Sequence, residues 1–215
     1  DELEPIEFRN CPDRIELGTF MLWASLTGQP GEPLTITNGE TDHLGEEFLE
    51  AFRQTGSGLD VDGSTVTVTP PETIEPVSIE TAVYPGFPTD LQAQWTVLMT
   101  QADGNAVVKD TIYYDRFKHV PELQRMGAEI DVKENEAWIE GPAPLKSAQV
   151  MSTDLRASVS LVMAASAAKG KSDVLRIYHL DRGYEDLEEK LNEAGLSIER
   201  VPYDEFKQPT PHIVD

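Results

Sequence analysis

The chain has 215 residues, 39% of them hydrophobic and 26% charged, which is the composition of a folded globular protein and not of a disordered one. With 17 basic residues against 39 acidic ones, its formal net charge is −22. Such a field repels nucleic acid and anionic membranes, because both are held chiefly by Lys and Arg on phosphates. A single cysteine, Cys11, excludes an intrachain disulfide framework and a Cys-based metal site.

The sequence shows no secretory leader and no apolar run near ~18 residues, so no membrane span is expected and a cytoplasmic location is. It opens Asp-Glu-Leu-Glu-Pro without an initiator methionine, as a processed chain or an excised piece of a longer one would. Cys11, before Pro12 and without a histidine nearby, is expected to be a structural thiol rather than a nucleophile.

In chain order, the first helix signal is DRIELGTFMLWASLTG: Asp13 as N-cap, an apolar stripe at helical spacing, and Gly28 as the stop. A short β-rich run, LTIT at 34–37, follows, then a second amphipathic helix, HLGEEFLEAFRQTG, closed by Gly56. The alternating stretch LDVDGSTVTVT predicts a hairpin, and the Pro-bearing PPETIEP at 70–76 marks a boundary.

The same order then repeats. VSIET at 77–81 predicts a strand, DLQAQWTVLMTQADG a helix from Asp90 to Gly104, and AVVKDTIYY at 106–114 a second strand. HVPELQRMGA predicts the second helix, ending at Gly127, and AEIDVKENEAWIEG the hairpin. After GPAPLKS at 141–147 a third copy begins with AQVMS at 148–152 and a helix DLRASVSLVMAASAAKG from Asp154 to Gly170. SDVLRIYHL at 172–180, YEDLEEKLNEAG ending at Gly195, and LSIERV complete it.

Three copies of one unit are the sequence signature of a repeat architecture. The expectation is an α/β (α+β) domain over 1–201, built from three βαβαββ-type units near 6–70, 76–141 and 147–201 with pseudo-threefold symmetry. Pattern alone leaves open whether helices or sheets lie inside. Residues 202–215 are expected to be a Pro-interrupted tail.

Three features exceed what folding signals require. Asp13, Asp90 and Asp154 are all N-cap candidates, each worth about 1 kcal/mol, but YPGFPTDL at 84–91 places two prolines, a glycine and two aromatics just ahead of Asp90. That turn would display Thr89, Asp90 and backbone N–H groups at a positive helix terminus. DRFKHV at 115–120 and DRGYED at 181–186 set Arg116 and Arg182 before the second helices, either as surface pairs with their aspartates or as bidentate anion contacts. Arg156 opens the Ser/Ala-rich third helix, where small side chains permit close approach. The four histidines, His43, His119, His179 and His212, have no ligand spacing, so no metal is expected.

The motifs MSTDLRASVSLVMAASAAKG, RIYHLDRGYEDLEEKLNEAG, YPGFPTDLQAQ and DRFKHVPELQRMGA together resemble the UDP-N-acetylglucosamine 1-carboxyvinyltransferase (MurA-type) branch of the enolpyruvyl transferases, from about Ile6 to Val201. DRIELGTFMLWAS resembles the same family's segment near that point. The resemblance implies the inside-out α/β enolpyruvyl transferase fold of two three-unit domains closing over a cleft, with this chain matching only the C-terminal domain. It implies transfer of the enolpyruvyl group of phosphoenolpyruvate to the 3′-hydroxyl of UDP-N-acetylglucosamine with release of phosphate, in peptidoglycan synthesis, and no cofactor.

By the same resemblance Asp90 contacts the hydroxyl and accepts its proton, Ile112 contacts the UDP-sugar through its backbone, and Arg116 lies near that ligand. Asp154, Arg156 and Arg182 line the phosphoenolpyruvate side, the two arginines as anion clamps and Arg182 as a catalytic residue. The family's other domain carries a catalytic-loop cysteine, a Lys-Asn pair and further arginines. Cys11 does not lie in that loop, so the missing N-terminal domain is the expected partner and the chain alone is expected to be inactive. The shikimate-pathway enolpyruvyl transferase domain and a non-catalytic ligand-binding homologue are the alternatives.

Overall fold

A computed structural model describes residues 5–8 and 10–202. The chain divides into two compact units, Asp1–Gly183 and Tyr184–Asp215. In the first unit the initial copy consists of helix α1 (Arg14–Thr27), strand β1 (Leu34–Ile36), helix α2 (Glu46–Gln54) and the hairpin β2 (Gly58–Asp62) and β3 (Thr65–Thr69). Its three strands form an antiparallel sheet in the order β1-β3-β2.

The second copy runs β4 (Ile79–Thr81), a 3-10 turn (Thr89–Leu91), α3 (Gln92–Met99), β5 (Asn105–Asp110), α4 (Val120–Arg125), β6 (Glu129–Lys133) and β7 (Glu136–Glu140). Its sheet has the order β4-β5-β7-β6, with β4 parallel to β5 and the other pairs antiparallel. The third copy has β8 (Gln149–Met151), α5 (Leu155–Ala167) and β9 (Asp173–Leu175), with β8 and β9 parallel, then a 3-10 segment (Ile177–Arg182).

The first helix of each copy lies inside. Every residue of α3 is buried, and α1, α3 and α5 pack against one another. Polar ties hold the helices in register: Gln94 Nε2 donates to Thr19 Oγ1 at 3.0 Å, and Trp23 Nε1 to Ser166 Oγ at 2.8 Å. Gly18 permits the approach, because a Cβ there would sit 2.5 Å from Leu91 Cδ1. Beside the helices Phe48, Phe52, Phe87 and Trp95 form an aromatic cluster, with Phe87 and Trp95 edge-to-face at 5.1 Å. Removing each such ring from water contributes roughly 1.5–3 kcal/mol.

The βαβαββ order is complete only in the second copy among the described residues. The first has no opening strand there, and the third has no closing one. LSIERV is not a strand because the Asn192 side chain takes both backbone groups of Ile198, donating to its carbonyl at 2.9 Å and accepting from its N–H at 3.0 Å. This loop follows α6 (Leu187–Glu193) in the second unit, where Leu196 N donates back to Leu191 O at 3.0 Å. The strand expected over 106–114 stops at Asp110, and the one expected over 172–180 stops at Leu175, where Arg176 turns to φ 58°.

Candidate functional site

Two of the three aspartates are caps. Asp13 Oδ1 accepts from Ile15 N at 2.7 Å and Glu16 N at 3.2 Å, and Asp154 Oδ1 from Arg156 N at 2.9 Å and Ala157 N at 3.0 Å. Asp90 is not one, which corrects the sequence expectation. It lies within the 3-10 turn ahead of α3, and neither that turn nor α3 has a side-chain cap. Asp90 Oδ1 instead accepts from Arg116 Nη2 at 2.6 Å and from Arg156 Nε at 2.5 Å, with Arg156 Nη2 on the same oxygen. Asp90, Arg116 and Arg156 are thus brought together from two copies, and Asp154 sets the helical turn that carries Arg156.

The YPGFPTDL turn holds Asp90 in place. Gly86 N donates to Val83 O at 2.8 Å, and Phe87 is buried in the aromatic cluster. α2 abuts this turn at Gly45, whose φ is 90° and whose added Cβ would meet Pro85 O at 2.4 Å, so only glycine fits. Thr89 Oγ1, the residue before Asp90, donates to Asp110 Oδ2 at 2.6 Å.

Asp110 was not singled out by the sequence, yet it organises this end of the sheet. It is 2% exposed, and its Oδ1 accepts from Thr81 Oγ1 at 2.9 Å, Ile112 N at 2.9 Å and Tyr113 N at 2.8 Å. These bonds end β5 and tie the Ile112 backbone to the Asp90 turn. The signal available was an aspartate inside a β-rich run, where such a side chain competes with the ladder for backbone N–H groups.

Asp90 and Ile112 line one cavity of about 200 Å³, together with Arg14, Tyr84, Pro88 and Thr89. Arg14, also absent from the sequence expectation, donates to His43 O at 3.0 Å and lies over the Tyr84 ring at 5.7 Å. A larger depression of about 460 Å³ is lined by Asp110, Thr111, Tyr114, Glu134 and Asn135. Its carboxylates and lack of any cation make it the poorer site for an anionic ligand, although it is the roomier of the two. Arg182 ends the 3-10 segment and is exposed. No hydrogen bond or ion pair joins it to Asp90, Arg116, Asp154 or Arg156 among the described residues.

His119 sits at the entry of α4, 2% exposed, with Nε2 unpartnered among the described residues. Burial lowers its pKa to about 4, opposed by the charge of Asp154 and a hydrogen bond with the Arg116 backbone. It is a neutral imidazole at neutral pH. No group of three or more His, Cys, Asp or Glu side chains placed to hold a metal occurs among the described residues. No helix among them is long and apolar enough to cross a membrane.

Chemically, the arrangement is a carboxylate with one oxygen held by two guanidiniums, beside a small cavity, in a strongly acidic chain. It suits a ligand that brings a hydroxyl to the carboxylate and an anion nearby.

Comparison with known proteins gives the family of the chain. The family model for EPSP synthase (3-phosphoshikimate 1-carboxyvinyltransferase) matches residues 1–191. The chain is 49% identical over 204 residues to a UDP-N-acetylglucosamine 1-carboxyvinyltransferase of Chlorobium phaeovibrioides, covering 95% of this chain and 47% of the relative. It is 50% identical over 209 residues to one of Chloroherpeton thalassium, covering 97% and 48%. The chain therefore spans about half the length of these curated relatives.

Among solved structures, the enolpyruvyl transferase NikO from Streptomyces tendae matches with TM-score 0.79 and 30% identity over 86% of this chain and 43% of its own. EPSP synthase of Acinetobacter baumannii matches at TM-score 0.53 and 16% identity, over 72% of this chain and 37% of its own, a likeness of fold alone.

Proposed function

The chain belongs to the EPSP synthase family of enolpyruvyl transferases, and on that premise we propose that it forms the C-terminal half of a UDP-N-acetylglucosamine 1-carboxyvinyltransferase. The complete enzyme moves the enolpyruvyl group of phosphoenolpyruvate to the 3′-hydroxyl of UDP-N-acetylglucosamine and releases phosphate. On this reading the reaction serves peptidoglycan synthesis, and the enzyme is assigned to the cytoplasm.

The observation that carries the reading is Asp90: a carboxylate in the helix-start position of its two sister copies, excused from capping and set beside a cavity with Ile112. Asp90 accepts the hydroxyl proton as that oxygen attacks the enolpyruvyl carbon, and the Ile112 backbone helps to seat the sugar. Ile112 N is already given to Asp110, so its carbonyl is the group left for ligand. Arg116 and Arg156 supply fixed positive charge, and Arg182, from the exposed 3-10 segment, serves the phosphoenolpyruvate side. Asp154 contributes by holding the first turn of α5.

A half-site orients groups but does not assemble the transition state. The second half, bearing the remaining cations and the acid for the methylene carbon, completes the site. Phosphate release is therefore expected from the complete protein given both substrates, and none above background from this chain alone. Turnover by this chain alone contradicts the division of labour. A complete protein that binds UDP-N-acetylglucosamine without turnover points to a non-catalytic homologue, and turnover with 3-phosphoshikimate in place of the UDP-sugar points to the shikimate branch. The half-identity to UDP-sugar enzymes favours the first reading over both.

A further inference from the structure

We infer that Arg14 is a further substrate-binding residue of this site, contributed by the first copy, and that it donates to an acceptor oxygen of the sugar nucleotide. The inference rests on the proposed use of Asp90 and Ile112 for that ligand. Arg14 opens α1, whose first turn is capped by Asp13 at Ile15 N and Glu16 N. Its side chain lines the cavity of about 200 Å³ that also has Thr89, Asp90 and Ile112 on its wall. Asp154, Arg156 and Arg182, which by resemblance belong to the phosphoenolpyruvate side, do not line it.

No carboxylate pairs with Arg14 among the described residues, in a chain of 39 acidic residues against 17 basic ones. Elsewhere an arginine finds such a partner even at the surface, as Arg53 does with Glu46 at 3.4 Å. Neutral groups hold Arg14 instead. Its Nη1 donates to His43 O at 3.0 Å, and its guanidinium lies over the Tyr84 ring at 5.7 Å. The Tyr84 hydroxyl donates in turn to Asp42 O at 3.1 Å, so the 3-10 turn Thr41–His43 braces both side chains. These contacts orient the fork and leave Nε and Nη2 without a partner among the described residues, neither of them sealed from water.

A fixed fork, an unneutralised charge and unused donors suit an arginine to ligand binding, because little side-chain freedom is left to lose when the ligand arrives. The cavity thus carries an acceptor, Asp90, and a donor, Arg14. A sugar nucleotide matches both, with a hydroxyl for the carboxylate and carbonyl, hydroxyl or phosphate oxygens for the guanidinium. Phosphoenolpyruvate brings no alcohol to match Asp90.

The competing role is structural: Arg14 would only clasp the Tyr84 turn that leads to Asp90. A clasp acts through the catalytic group and lowers kcat. A contact made alike to bound substrate and transition state weakens binding and leaves kcat in place. In the complete protein, Arg14→Gln is expected to raise the Kd for UDP-N-acetylglucosamine about 10- to 100-fold, the range for one charge-assisted hydrogen bond. Changes in kcat and in the KM for phosphoenolpyruvate are expected to stay under about threefold.

Titration with UDP alone identifies the oxygen. Weakening by the same factor assigns Arg14 to the diphosphate, and unchanged UDP binding assigns it to a substituent of the sugar; both support the inference. Where Arg14→Gln does not fold, Arg14→Lys keeps the charge without the planar fork, and is expected to give the same pattern with a loss of about 3- to 10-fold. A Kd for UDP-N-acetylglucosamine within about twofold of the unsubstituted value overturns the inference, whether or not kcat falls. An unsubstituted complete protein that does not bind UDP-N-acetylglucosamine overturns the proposed function and this inference with it, whereas binding that ignores the Arg14 substitutions overturns the inference alone.

Discussion

Asp13 and Asp154 begin their helices in the ordinary way, each giving one carboxylate oxygen to two backbone N–H groups of the first turn. Asp90, at the matching place in the second copy, gives nothing to its helix, and its Oδ1 accepts from Arg116 and Arg156 instead. The difference is one 3-10 turn, Thr89–Leu91, inserted ahead of α3 and pinned by Thr89 on the buried Asp110. A cap worth about 1 kcal/mol has been given up, which leaves a carboxylate for the proposed chemistry. The repeat supplies a frame, and a local departure from it supplies the candidate site.

The comparison can be broken most forcefully at Asp90. In the complete protein Asp90→Asn is expected to reduce kcat about 10²- to 10⁴-fold, the range for loss of a general base, with thermal unfolding little changed. A fall in stability matching the fall in activity would return Asp90 to a structural role.

The next effect belongs to Asp110. Asp110→Ala removes the acceptor of four hydrogen bonds at a 2% exposed site and is expected to cost about 3 kcal/mol, read by denaturant unfolding of this chain. A loss under ~1 kcal/mol would show that the turn holds without it.

His119 makes the third contrast, through pH. Its folded pKa is lowered from 6.5 to about 4 by burial, so as pH falls below 6.5 the unfolded chain binds the proton first. Stability from this group is therefore intact above pH 6.5 and lost progressively down to pH 4, by up to about 3 kcal/mol. In His119→Phe that component of the pH dependence should vanish, and an unchanged slope between pH 6.5 and 4 would refute it. The smallest effect is the cap itself: Asp13→Ala is expected to cost about 1 kcal/mol in unfolding free energy and nothing in kcat.

The threefold repeat was legible because its signals are local: acidic caps, apolar stripes and glycine stops are set by neighbours in sequence. The enclosed position of α1, α3 and α5 was not, since an apolar stripe states that a face is buried without saying by what. The strand expected over 106–114 failed at Asp110 for a specific reason, its side chain competing successfully for the N–H groups of Ile112 and Tyr113. LSIERV failed likewise to Asn192.

Of the residues singled out by sequence, Asp90, Arg116 and Arg156 meet in space, Asp154 supports them, and Ile112 shares the cavity. Arg182 does not join the cluster. Arg14 was invisible because its contact lies 29 residues away, at His43, and the part of Asp110's role that sequence could not show is its contact 21 residues away, with Thr89.

The central claim, that Asp90 is released from capping in order to meet a substrate hydroxyl, is tested most directly by a crystal structure of the complete protein with UDP-N-acetylglucosamine. The account predicts the sugar 3′-hydroxyl within about 2.6–3.2 Å of the Asp90 carboxylate. A sugar bound with that hydroxyl away from Asp90, or Asp90 turned back onto the first N–H groups of α3, would contradict it.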